Sequence, residues 1–160
     1  MQLTTRQDYA ASPDQIHSML TDERFLSEAA TELGAREHRV AATASRSAVR
    51  ATIEAPTGVR AFLGATLTLT QETTWEGAAD DGSRSGTVAI TIPGAPVSLA
   101  GELSLTKVDS GSSLIYTGEL TVQVPLLGAR IEQAAAPAIL DALAAQERAA
   151  HRWLEEAASS

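Results

Sequence analysis

Few side chains in this sequence combine the type and spacing that chemistry requires. The histidines, His17, His38 and His151, fall on what reads as a first helix, an early strand and the polar side of the last helix, with neither metal-ligand spacing nor a partner nucleophile. His17 and His151 read as exposed helix positions. No GxSxG, HExxH or phosphate-loop pattern occurs, and Asp80 and Asp81 lie in a turn sequence, ADDGS, rather than forming a carboxylate pair across a cleft. Cysteine is absent, which excludes disulfides, thiolate metal sites and thiol nucleophiles. The sequence thus names no catalytic residue, no metal ligand and no cofactor motif.

What remains are polar and aromatic groups on otherwise apolar faces. At about 100° per residue, Gln146 falls between Ala142, Ala149, Ala150 and Trp153 on the apolar side of the C-terminal helix. An unsatisfied buried amide costs about 1–3 kcal/mol, so Gln146 either faces a cavity and bonds a ligand or water, or bonds a strand residue, or sits at a rim. Tyr116 lies on the apolar face of its strand, and Trp75 is in phase with Leu67 and Leu69. Each is a core side chain or a ligand contact, and a buried Tyr116 hydroxyl requires a partner. In TGVRAFLG, read as a loop, Arg60 either meets a carboxylate or phosphate or is a solvated charge.

The elements that must position these groups follow from periodicity. Gln2 to Tyr9 reads as a strand, and ASPDQIHSML starts a helix with Ser12 as N-cap, Pro13 at the first position and Gln15 completing a capping box. A second short helix follows in TDERFLSEAATELG, with an apolar stripe through Phe25, Leu26, Ala29, Ala30 and Leu33 and with Gly34 ending it. The period then changes to two, giving strands near 36–44, 46–55, 65–75, 84–93, 96–107 and 113–124. In the last two, apolar and polar residues alternate, so the sheet has one dry face. The large apolar surface left to cover it is the C-terminal helix. Its apolar side runs through Ile131, Ala135, Ile139, Leu143 and Ala150, and the opposite side carries Asp141, Arg148 and Arg152. This is an α+β chain with an antiparallel sheet wrapped around one long helix.

Alanine and glycine leave two packings open. With Ala135, Ala142, Ala149 and Ala150 on the helix and Gly101 and Gly118 on the sheet, either the helix lies close with no void or it stands off and leaves a pocket. In VPLLGARIEQAAAPAILDAL, Pro125 ends the last strand, Leu126 and Leu127 are expected to turn toward the cavity, and Gly128 frees the chain to swing the helix across. Pro137 removes one helical hydrogen bond and is expected to bend the helix near Gln133 and help set pocket width.

Composition narrows the classes. The 160 residues, 44% hydrophobic and 20% charged, suit one globular domain over 1–160. A net charge of -8 with scattered basic residues lacks the footprint of a nucleic-acid binder. No apolar run approaches a membrane span, so no stable membrane insertion is expected, and the polar start MQLTTRQDY is not a secretory signal. A cytoplasmic location is the expectation. Eleven of the twelve basic residues are arginine, with Lys107 the lone lysine; together with heavy alanine use this points to a high-GC bacterial genome.

The order of elements resembles the START-like, helix-grip superfamily, also called SRPBCC or polyketide cyclase and lipid-transport, and ASPDQIHSMLTD is similar to its strand-to-helix entry. FLGATLTLTQETTW, GTVAITIPGAPVSLAGELSL, VPLLGARIEQ and AQERAAHRWL look more closely like an uncharacterised bacterial family of unknown function within it. The resemblance implies a helix-grip fold of seven antiparallel strands and a cavity between sheet and long helix for a lipid, polyketide or other apolar molecule. It brings no catalytic residues. On the helix side, the expected lining is Leu127, Ile131, Ile139, Ala142 and Gln146; on the sheet side it is Trp75, Leu99, Gly101, Leu103, Tyr116 and Leu120. Val59, Arg60, Phe62 and Leu63 are the expected mouth. Binding or carriage of a small apolar or amphipathic partner is the leading reading. The alternatives are a cyclase-, aromatase- or hydrolase-like enzyme in the same pocket, or a protein-interaction module with a solid core. Nothing in the sequence sets an oligomeric state.

Overall fold

The computed structural model describes residues 1–159. Strand β1 (Gln2–Tyr9) leads into α1 (Pro13–Leu20), whose start is closed reciprocally: Ser12 Oγ accepts from Gln15 N at 3.2 Å and Gln15 Oε1 accepts from Ser12 N at 2.9 Å. Helix α2 (Glu23–Glu32) begins one turn later, with Asp22 accepting from the amides of Arg24 and Phe25. Gly34, at φ +93°, then takes the left-handed turn that a side chain would resist.

Six further strands follow: β2 (Glu37–Ala42), β3 (Arg46–Glu54), β4 (Thr66–Trp75), β5 (Arg84–Thr91), β6 (Val97–Val108) and β7 (Gly111–Val122). They form with β1 one seven-stranded antiparallel sheet in the order β1-β7-β6-β5-β4-β3-β2. β7 starts two residues before the alternation suggests, because Gly111 pairs with Val108 across a two-residue turn. A Cβ on Gly111 would stand 1.9 Å from Tyr9 O, so glycine is what lets β1 close onto this hairpin. The segment read as a loop between β3 and β4 is instead ordered as a 3-10 turn (Thr57–Val59) and a one-turn helix, α3 (Arg60–Leu63).

Helix α4 (Gly128–Ala158) is 31 residues long and runs unbroken through Pro137, which is exposed, as is Gln133, whose carbonyl loses its partner. The turn before α4 corrects two expectations. Leu126 does not face inward: it is fully exposed and adopts φ +69°. Gly128 opens the helix rather than acting as a free swivel, and its reason is contact, since a Cβ there would lie 2.4 Å from Val122 O. Glu132 fixes this junction by accepting from the amide of Val122 at 3.0 Å and from the N-terminal amine at 3.3 Å.

The core is in two parts. The first gathers Ile16, Phe25, Leu105, Leu114, Ala149 and Ala150, joining α1, α2 and the C-terminal half of α4 to one end of the sheet. The second gathers Ala55, Val59, Leu67, Val122 and Ile131 where the start of α4 meets the 3-10 turn and the other end. Each large side chain buried in this way contributes about 1.5–3 kcal/mol. Among the described residues no helix is long and apolar enough to cross a membrane.

Candidate functional site

Between the two core clusters a cavity of about 720 Å³ opens beside residues 135–142 of α4. The alanine alternatives are both realised, in different turns of one helix. Ala149 and Ala150 are pressed into the first core cluster, while Ala135, Ala138 and Ala142 border the cavity. The opposite walls come from Leu99, Gly118 and Leu120 on β6 and β7 and from Val49, Leu69 and Ile90 on β3, β4 and β5. A side wall is supplied by the apolar stripe of α2, through Leu26, Ala29, Ala30 and Leu33.

The charged groups stand at the rim and mostly neutralise one another. Arg36 pairs with Glu54 at 2.7 Å, and Glu32 accepts from Arg152 at 3.0 Å and from Arg148 at 3.3 Å, which ties α2 to α4 across the opening. The hydrogen bonds from Arg152, then Arg148, hold the Glu32 carboxyl below its ordinary range. Asp141 is exposed beside them.

The inner polar groups are neutral. Tyr116 of β7 faces Gln146 of α4, whose Nε2 donates to the phenol oxygen at 2.7 Å. Burial pushes the Tyr116 hydroxyl up to about 12, the hydrogen bond from Gln146 offsetting part of the effect, so it is a neutral donor at physiological pH. Next to this pair β1 is clamped to α4: the buried Gln7 donates Nε2 to the Leu143 carbonyl at 3.0 Å and accepts from Tyr9 Oη at 2.7 Å. Burial drives the Tyr9 hydroxyl strongly upward as well.

Tyr116, Leu99, Leu120, Ile139, Ala142 and Gln146 border the cavity, as do Val59 and Leu63. Trp75 and Leu103 lie instead in the first core cluster, with His17 edge-on to the Trp75 ring at 5.4 Å. His17 is therefore half-buried rather than an exposed helix residue, and burial, then the nearby Arg84, lowers its pKa. Ile131 and Leu127 belong to the second core cluster. Gly101 serves the sheet itself, because a Cβ there would lie 2.4 Å from Thr117 O and 2.8 Å from Gly118 Cα on the neighbouring strand. Arg60 is not a ligand-facing cation: its Nε donates to Ala55 O at 2.8 Å, and Phe62 beside it is exposed.

Sequence reasoning missed Gln71 and Thr5, both on the cavity wall. The signal was present. Gln71 shares the inward phase of Leu67, Leu69 and Trp75, and Thr5 that of Leu3, Gln7 and Tyr9. The Gln71 amide has no hydrogen-bond partner among the described residues.

The chain is similar over 100% of both chains to TTHA0849 from Thermus thermophilus, with 16% identity and a TM-score of 0.65. It is similar to the di-domain ARO/CYC StfQ from the steffimycin biosynthetic pathway over 99% of this chain and 52% of that one, with 13% identity and a TM-score of 0.68. A STAR-related lipid transfer protein from Xanthomonas axonopodis is 17% identical over 92% of this chain and 85% of its own, with a TM-score of 0.59. At such identities the likeness establishes the fold, which is START-like. No curated protein matches the sequence significantly. Residues 4–154 match the family described as "Protein of unknown function (DUF2505)", and the chain belongs to that family.

Proposed function

We propose that the protein binds and carries a small apolar or amphipathic molecule in the cavity between sheet and α4. The observation that carries this reading is the cavity itself: about 720 Å³, walled mainly by aliphatic side chains, with its charges confined to the rim. Pockets for small organic ligands occupy roughly 300–1,000 Å³ and share this pattern of apolar walls and few polar groups. An empty apolar space deprives its lining of dispersion contacts, so a ligand that fills it gains those contacts together with its own removal from water. The names of two similar structures, a STAR-related lipid transfer protein and an ARO/CYC from a biosynthetic pathway, agree with apolar cargo.

Carriage is favoured over catalysis by the chemistry of the lining. None of the three histidines borders the cavity, and Glu32, Glu54 and Asp141 stand at its rim, so among the described residues no inner group is poised to exchange a proton near neutral pH. A space of this size also argues against the solid core that a pure interaction module requires.

The test is titration with diphenylhexatriene, a hydrocarbon that fluoresces in apolar surroundings. One saturable site per chain is expected, weakened at least tenfold by Ala142→Trp, which would fill the space. Fluorescence no greater than in buffer would refute the reading.

A further inference from the structure

The site's polar chemistry narrows what the cargo is. Tyr116 and Gln146 are joined to each other, yet the pair is not exhausted. A phenol offers one hydrogen and two lone pairs, and an amide offers two hydrogens and a carbonyl oxygen. One contact, Gln146 Nε2 to Tyr116 Oη at 2.7 Å, consumes one hydrogen and one lone pair. No other hydrogen bond from either side chain occurs among the described residues, and both residues border the cavity. The phenolic hydrogen is thus left to donate into the space, and Gln146 Oε1 is left to accept. With the amide turned over, the phenol donates to Oε1 and the Nε2 hydrogens remain free, so the pair keeps a spare donor in either orientation.

A donor of this kind selects by charge as well as by geometry. The Tyr116 hydroxyl stays protonated well above neutral pH, and no cation stands with it: Arg36 and Arg148 are at the rim and engaged by Glu54 and Glu32. A carboxylate or phosphate brought to Tyr116 would be desolvated without a counter-charge, which is costly. A ketone, ester or alcohol oxygen loses far less water and gains the phenolic hydrogen bond. A plain hydrocarbon leaves the pair unsatisfied.

We infer that the cargo is an apolar molecule bearing a neutral oxygen, a carbonyl or hydroxyl, which it presents to Tyr116, with Gln146 holding the phenol so that its hydrogen points into the cavity. This inference rests on the apolar-carrier reading and adds the chemical class of the ligand and its orientation, oxygen end inward. Tyr116 is the specificity-determining contact; Gln146 is a positioning residue.

The experiment uses matched chains as probes. Diphenylhexatriene is bound first and then displaced by 2-tridecanone or by dodecanoate, of similar length, on the wild-type protein and on Tyr116→Phe, Gln146→Leu and Gln71→Leu. Diphenylhexatriene has no polar atom, so its binding reports the cavity alone, and each ketone-to-dodecanoate ratio is taken against the hydrocarbon's own affinity for that variant, a saturable signal showing that the variant folds. On the wild type the ketone is expected to displace at about tenfold lower concentration than the carboxylate, which keeps its charge in water at the rim and leaves Tyr116 unpaired, so that the ratio reads one hydrogen bond. Tyr116→Phe is expected to reduce that ratio to near one by weakening the ketone alone. Gln146→Leu is expected to reduce it in part, and Gln71→Leu to leave it unchanged. If the hydrocarbon binds but the ketone is no better than dodecanoate, or if the preference survives Tyr116→Phe, the inference is overturned while the carrier reading stands. A preference lost in Gln71→Leu instead would move the determinant to β4 and equally overturn it. Failure of the wild type to bind the hydrocarbon would remove both.

Discussion

Replacing Ala142 by leucine, and separately Ala149 by leucine, adds the same three carbons at two positions two turns apart on α4. Ala149 is 1% exposed and in contact with a packed cluster, whereas Ala142 borders the cavity. At Ala149 the added atoms have nowhere to go, and overpacking of this kind costs about 1–3 kcal/mol. At Ala142 they enter space lined mainly by apolar side chains. Three carbons at about 0.8 kcal/mol each set an upper limit of about 2.4 kcal/mol of stabilisation. Incomplete contact and the lost rotamer freedom of leucine reduce this to about 1 kcal/mol. The two substitutions therefore differ in sign. For a chain of this size each kcal/mol moves the melting temperature by about 2–4 °C, so Ala142→Leu is expected to raise it by a few degrees and Ala149→Leu to lower it by several. The assay is thermal and urea unfolding of protein refolded from guanidinium, so that co-purified apolar compounds are removed first. Equal destabilisation by both would mean that the space over Ala142 is filled, and the reasoning from cavity to carriage would fail.

Three further outcomes follow from particular contacts. Gly101→Ala drives a methyl toward Thr117 O and Gly118 Cα, both backbone atoms that cannot yield cheaply, and is expected to lower stability by about 2–4 kcal/mol in urea unfolding; a loss below about 0.5 kcal/mol would contradict the account of the β6–β7 contact. Gln7→Met keeps the volume but leaves Tyr9 Oη without its acceptor, and a cost of about 1–3 kcal/mol is expected, with little change in the far-ultraviolet spectrum; a neutral result would show that Gln7 is not the clamp between β1 and α4. The two tyrosines titrate late: with the folded Tyr116 hydroxyl raised from 10.0 to about 12 and Tyr9 also raised, absorbance at 295 nm is expected to stay low through pH 10 in the folded protein. Because the neutral phenols are the forms favoured by folding, their contribution to stability is complete below pH 10 and is lost as the pH rises toward 12, so alkaline unfolding and ionisation should coincide. Half-ionisation near pH 10 in a still-folded chain would contradict their burial.

Element order, face assignment and caps were legible in the sequence because they are local. The Ser12–Gln15 box, the Gly34 stop and the alternation of β6 and β7 each depend on residues within a few positions of one another. The wheel that put Gln146 on the inner face, and the alternation that put Tyr116 on the dry face, marked two groups that the fold then joined at 2.7 Å. What local patterns do not carry is position along an element. Ile131, Ile139 and Ala149 share one helical stripe, yet they meet the second core cluster, the cavity and the first core cluster in turn, because the cavity lies between the two clusters along α4. Trp75 and Leu103 were misplaced for the same reason: both face inward, but at the end where the sheet closes on α1 and α2. Gly101 does not leave room for a pocket: its requirement comes from the next strand's backbone, which nothing within a few positions of it reveals. Gln71 shares the inward phase of Leu67 and Leu69, but a polar residue in an apolar series carries no local sign of whether it meets a cavity or a partner.

The most direct measurement of the central claim is a crystal structure of the protein pressurised with xenon, an apolar atom that enters enclosed hydrocarbon-lined space and avoids packed cores. Strong xenon density among Leu99, Leu120, Ile139 and Ala142, between the sheet and the middle of α4, is the predicted result. A helix settled onto the sheet along its whole length, with no xenon beneath it, would contradict the account.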